Sequence, residues 1–148
     1  ISKSPVSFTM ISLFNEDIGL YCGRGHPLFA VPDREIEIRQ ISDYKMIDIT
    51  TASTPEIKSL MNLLDIKATA STDVSRILLV LSGNYIGFIP SALADHWVRD
   101  RKLRRLISDR ICYSNVCSVV WKKDAPANLI RDTFVRELKK SSTEFNAS

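Results

Sequence analysis

Hydroxyl side chains crowd two short stretches of this sequence. Thr50-Thr51-Ala52-Ser53-Thr54 lies between a strand candidate and a helix start, and Ser71-Thr72-Asp73 stands just ahead of a second helix candidate. At the amino end of a helix the first N–H groups lack partners and the dipole favours negative charge, so hydroxyls placed there can help hold a small polar or anionic metabolite. The competing reading is that these side chains only cap their own helices. Thr50, Thr51 and Ser53 exceed what one cap needs. The candidate ligand-binding residues are therefore Thr50, Thr51, Ala52, Ser53, Ser71, Thr72 and Asp73.

Other chemistry is sparse. His26 sits in the turn Gly23-Arg24-Gly25-His26-Pro27, and His96 lies beside Trp97 in a helix candidate, with no second imidazole or carboxylate cluster at a supporting spacing. The sequence has no GxSxG elbow, phosphate-binding glycine loop or HExxH pair. Cys22, Cys112 and Cys117 are odd in number and show no CxxC spacing, so a disulfide framework or zinc site is not expected. No catalytic residue, metal or cofactor is assigned.

The elements that position the hydroxyl turns can be read from periodicity. Phe8 to Tyr21 suits a strand, ended by the glycine and proline turn. Val31 to Arg39 reads as a surface connection, and Lys45 to Ile49 as a short strand. Thr54-Pro55-Glu56 then starts a helix with Ile57, Leu60, Met61 and Leu64 on one face. The pattern repeats: Ala68 to Ala70 is a strand candidate, Ser71 to Asp73 caps a helix with Val74, Ile77, Leu78 and Leu81 as its apolar face, and Gly83-Asn84 stops it. The apolar run Tyr85 to Ile89 fits a strand buried on both faces. Pro90-Ser91 opens a further helix, Leu103 to Leu106 forms a short edge segment, and Ile111 to Trp121 a long strand. A last helix uses Ile130, Phe134 and Leu138 as its core face, with Ser141 to Ser148 as a frayed tail. Strands alternate with helices, so an α/β fold with a largely parallel sheet is expected.

Composition bounds the function. With 45% hydrophobic and 25% charged residues, a chain of 148 residues can bury a core. It has no apolar run of about 20 residues and no signal-peptide pattern, so the expectation is a cytoplasmic protein with no membrane partner. The net charge of +3 is modest for a nucleic-acid binder. The basic group Arg99, Arg101, Lys102, Arg104 and Arg105 is interrupted by Asp100 and flanked by Asp95 and Asp109, and reads as a solvated helix end and turn. The sequence opens on Ile1, which suggests part of a longer chain.

The order of motifs resembles a known family. Leu20-Tyr21-Cys22 followed by His26-Pro27-Leu28, the segment Ser82-Gly83-Asn84-Tyr85-Ile86-Gly87-Phe88-Ile89-Pro90, and Leu103 to Leu106 together resemble the ligand-sensing domain of LysR-type transcriptional regulators, over roughly Phe8 to Leu138. Asn84-Tyr85 departs from the small step common there, and Tyr85 is expected to fill core space. The resemblance implies a two-lobed fold like that of type 2 periplasmic binding proteins, with its first lobe incomplete. It implies a small effector held between the lobes by the hydroxyl turns named above, homo-oligomer formation, and DNA contact only through a winged helix-turn-helix outside this sequence. The expected division is residues 1–49 for the rest of lobe I, 50–112 for lobe II, 113–140 for a return strand and closing helix, and 141–148 for the tail, with links near Ile47 to Ile49 and Tyr113 to Trp121. Two alternatives stay open. A redox sensor of the same fold would use Cys112 or Cys117, with Arg110 beside the former, and an enzyme on a similar scaffold would use Asp73 or His96.

Overall fold

Alternation along the first strand sets up two cores, one on each side of a sheet. The computed structural model describes residues 7–48, 62, 64–123, 126 and 128–146. They fall into two compact units, one of Asp17–Asn115 and one made of the chain up to Glu16 and from Val116 onward.

In the Asp17–Asn115 unit the strands run in the order β3-β2-β4-β1-β5, where β1 is Phe8–Gly23, β2 Lys45–Asp48, β3 Asp65–Thr69, β4 Ile86–Pro90 and β5 Leu103–Leu106. β2 is parallel to β3 and to β4, while β1 lies antiparallel between β4 and β5, in registers Leu20↔Phe88 and Leu20↔Leu106. β2 to β5 therefore share one direction and β1 opposes them. The sheet is thus mixed: β2 to β5 keep the common direction expected of strand–helix alternation, and β1, which no helical crossover joins to its neighbours, runs against them.

Ile18, Leu20, Cys22, Met46, Ile86 and Phe88 point into one core, where Leu28, Ile36 and Ile41 cover them. Tyr21, Ile47 and Ile89 point the other way, under Ile77 and Val80 of helix α1 (Asp73–Leu81) and Ala94 of α2 (Ser91–Arg99). Tyr85 packs against this second core, as its replacement of a smaller residue suggested. α1 is capped by Thr72 and ends at Gly83, whose φ of +76° is the left-handed value that glycine tolerates. Its buried face is Arg76, Ile77 and Val80, whereas Val74 and Leu78 are 67% and 61% exposed. The helix is rotated from the expected apolar face because Val80 seats over the glycines: a Cβ at Gly87 would stand 3.1 Å from Val80 Cγ2.

The stretch Val31 to Arg39 is more than a surface connection. Three 3-10 turns, Pro27–Ala30, Asp33–Glu35 and Ile38–Asp43, fold it onto the sheet and bury Ile36 and Ile41. His26 opens the first turn, its Nδ1 accepting from the Leu28 N–H at 3.2 Å, and burial lowers its pKa. An imidazole that resists protonation only when folded lets the unfolded chain bind the extra proton. Stability should therefore fall as pH drops below about 6.5, the ordinary imidazole value, and stop falling once His26 protonates in the folded state. Urea midpoints at pH 7.5 and 5.5 check this, and His26→Gln should flatten the dependence.

The second unit contains the Phe8–Glu16 part of β1, the Val116–Lys122 part of β6 (Cys112–Lys122) and helix α3 (Leu129–Asn146). β6 pairs with β1, and Lys123 N–H donates to the Ser7 carbonyl at 2.9 Å. Asn128 Oδ1 accepts from Arg131 N–H and caps α3. The helix continues to Asn146, so Ser141 onward is no frayed tail as far as that residue. Among its described side chains Val135 and Ser142 are buried, while Ile130 and Phe134 are exposed, contrary to the expected core face. Leu138 lines an apolar cleft with Leu13 and Phe14. The units divide within β1, at Glu16 and Asp17, and within β6, at Asn115 and Val116.

Candidate functional site

β2, β3 and β4 run parallel, so their carboxyl ends lie along one edge of the sheet. Leu64, the last residue before β3, packs into the first core, whereas α1 and α2 cover the second. In open α/β sheets ligands bind beyond the carboxyl ends of the parallel strands. Ser71, Thr72 and Asp73 follow β3 at this edge. Ser71 is exposed. Thr72 Oγ1 accepts from the Ser75 N–H at 3.2 Å and lies 2.9 Å from the Ser75 hydroxyl, so capping occupies part of its capacity. Asp73 Oδ1 accepts from Arg76 Nη1 at 2.7 Å. Thr50, Thr51, Ala52 and Ser53 lie outside the described residues.

Arg76 is the residue that sequence reasoning missed. It is only 6% exposed, it reaches the Phe88 carbonyl through Nη1 at 3.4 Å, and its Nε is buried with no hydrogen-bond partner. Its aliphatic stem runs over Gly87, where a Cβ would stand 3.6 Å from Arg76 Cγ. The one available signal was a cation interrupting the apolar pattern of Val74, Ile77 and Leu78.

A second polar group gathers at the amino end of α2. Arg105 holds the Asp17 carboxylate through two bonds of 2.7 and 3.1 Å, Ser91 donates to Asp17 at 2.6 Å, and the Tyr21 hydroxyl donates to Ser91 at 3.1 Å. The Arg105 hydrogen bond, with smaller help from Ser91, holds the Asp17 carboxyl below its ordinary range. The guanidinium crosses Gly19, whose absent Cβ would stand 2.5 Å from Arg105 Nε. Arg104 is equally committed, donating to the carbonyls of Leu28, Phe29 and Val31 and to the Asp33 carboxylate. Two members of the basic group read as solvated are thus internal fasteners.

His96 is exposed in the last turn of α2, 3.8 Å from Asp100. Cys22 is buried, which pushes its thiol up to about 12, and burial also raises Cys117; Cys112 is exposed. Alkylation at pH 8 should label Cys112 rapidly, Cys117 slowly and Cys22 only after denaturation, as read by intact mass. Rapid labelling of Cys22 in the native chain would contradict this burial. Among the described residues no group of His, Cys, Asp or Glu could hold a metal ion, and no helix is long and apolar enough to cross a membrane.

Residues 3–142 match the family model described as LysR substrate binding domain. The chain belongs to the LysR substrate-binding domain family. A curated relative of this LysR domain, the HTH-type transcriptional activator BauR of Pseudomonas aeruginosa, is 31% identical over 133 residues, which are 89% of this chain and 44% of the relative. The chain thus spans less than half of that protein's length. Among solved structures, the CcmR regulatory domain of Synechocystis PCC6803 in complex with 2-PG superposes with a TM-score of 0.73 at 12% identity, covering 96% of this chain and 70% of that one. The effector binding domain of QuiR in complex with shikimate gives 0.71 at 16% identity, covering 93% and 66%. These likenesses establish the fold of this LysR domain as that of the family's regulatory domains.

Proposed function

We propose that this chain is the effector-sensing part of a LysR-type transcriptional regulator and that it binds a small polar or anionic metabolite beyond the carboxyl ends of β2, β3 and β4. The observation that carries this reading is the opening of α1 at that edge, with Ser71, Thr72 and Asp73 immediately after β3 and the buried Arg76 one turn further on. Thr50 to Ser53 follow β2 in sequence and complete the proposed contact set. Relatives of the same fold in complex with 2-PG and with shikimate support the reading of a ligand-responsive domain. In the intact regulator, occupancy would bias the arrangement of a homo-oligomer, and a winged helix-turn-helix outside this sequence would read it out at DNA. The domain itself would catalyse nothing.

The test is a thermal-shift screen of the intact regulator against organic acids, amino acids and nucleobases, since a ligand bound only by the folded state raises its melting temperature. Thr51→Ala together with Ser71→Ala should abolish the shift of a true effector. Thr72→Ser keeps the cap, whereas Thr72→Ala would also cost about 1 kcal/mol of stability without ligand. A shift untouched by these changes would place the effector elsewhere. A shift caused by oxidant and lost on replacing Cys112 or Cys117 would instead support a redox sensor, though raised thiol pKa values at Cys22 and Cys117 do not favour one.

A further inference from the structure

An arginine presents five N–H donors in a rigid plane. Arg76 spends two of them, both from Nη1, on Asp73 Oδ1 and the Phe88 carbonyl. Nε is buried without an acceptor, and no described residue accepts from Nη2. The unused donors lie on one edge of the guanidinium, where Nε–H and one Nη2–H point in parallel. That edge matches the two oxygens of a carboxylate. A buried donor left without an acceptor is costly, so whatever supplies one is bound with that cost relieved.

From this geometry we infer that the Nε/Nη2 edge of Arg76 receives the carboxylate of the effector; the inference rests on the effector site proposed above. Three features favour a carboxylate over other acceptors. Arg76 is nine-tenths buried, so its charge is poorly hydrated and a charged acceptor gains most there. Its position is set from both ends, by Gly87 beneath the stem and by Asp73 and Phe88 at Nη1, so the guanidinium is held in one orientation. Asp73, bound through Oδ1 and about half exposed, places its own negative charge nearby. It would repel a phosphate dianion more than a carboxylate monoanion, and its second oxygen can accept a bond from a hydroxyl or ammonium group on the same ligand.

The experiment follows the arginine Nε–H resonances and backbone amides of the 15N-labelled chain during titration with glycolate, succinate and benzoate, and with glycolamide, succinamide and benzamide. At least one carboxylate should move the Arg76 Nε–H resonance downfield in a saturable way, together with the amides of Ser71 to Asp73, and its amide counterpart should not. Arg76→Lys, which keeps the charge but not the planar fork, should weaken that carboxylate about 30-fold or more. Movement of the Ser71 to Asp73 amides by an uncharged probe, with the Arg76 Nε–H unmoved by every carboxylate, would overturn the carboxylate assignment and leave the site standing. Saturable binding that moves neither would overturn both. An unchanged affinity in Arg76→Lys would overturn the assignment even where the resonance moves, and so would the absence of any response to the carboxylates.

Discussion

Gly23→Val is expected to lower the melting temperature of this chain by about 10 °C, corresponding to roughly 3 kcal/mol of overpacking. Gly23 ends β1 beneath the last turn of α1, where an added Cβ would lie 2.2 Å from the Val80 carbonyl oxygen and 3.2 Å from the Gly83 nitrogen. Those atoms are backbone, and they are bonded to each other, since Gly83 N–H donates to Val80 O at 3.0 Å. Neither can move aside without unpicking the turn that closes the helix. Gly25, two residues on, is the control. A Cβ there would meet only Gly83 Cα, at 3.8 Å, which is ordinary contact, so Gly25→Ala should change stability by less than about 0.5 kcal/mol. Parallel urea unfolding of the two variants checks the contrast, and equal midpoints would disprove the close approach.

Replacing Arg104 with alanine should cost a comparable amount, about 3 kcal/mol, by a different route. One guanidinium on β5 gathers the carbonyls of Leu28, Phe29 and Val31 and the Asp33 carboxylate, and so ties the first two 3-10 turns to the sheet. Its removal takes a donor from all three carbonyls; Leu28 keeps only the Val31 N–H, at 3.2 Å. Arg104→Lys should recover only a minor part of the loss, because a single ammonium cannot span the same four acceptors. The damage should be local first: backbone amides from Leu28 to Ile36 should exchange faster with solvent in either variant, while Val80 in α1 stays protected. Uniformly accelerated exchange would mean that Arg104 supports the whole unit and not this one segment.

The elements whose fate depends on neighbours in sequence were legible. Thr72 caps α1 as its hydroxyl and position required, the apolar run ahead of Pro90 is a strand buried on both faces, and the Leu103 to Leu106 segment lies at the sheet edge. The motif order also led to the correct family. What escaped depends on residues far apart or on which side of an element faces its support. Asp17, Ser91 and Arg105 meet across separations of 74 and 88 residues, which no spacing rule captures. α1 is apolar at six of its nine positions, so more than one face could be buried, and in both α1 and α3 the face read from periodicity is not the one that is covered. Glycines beneath Val80 settled the choice for α1. Of the candidate site, the hydroxyl turn before α1 was visible, but the buried cation behind it was not, because a charged residue in a helix is ordinarily assigned to the solvated side.

The way the chain is shared between its two units also orders its assembly in time. Residues Asp17 to Asn115 are contiguous, so every contact of that unit is available to a growing chain as soon as Asn115 has been made. The other unit draws on segments that end at Glu16 and resume at Val116. Joined by a flexible coil of that length, its halves would face a closure entropy of about 4 kcal/mol before any contact between them could form. Prior folding of Asp17–Asn115 would remove most of that cost, so the split unit is expected to form after the contiguous one, which pulsed hydrogen exchange during refolding would check.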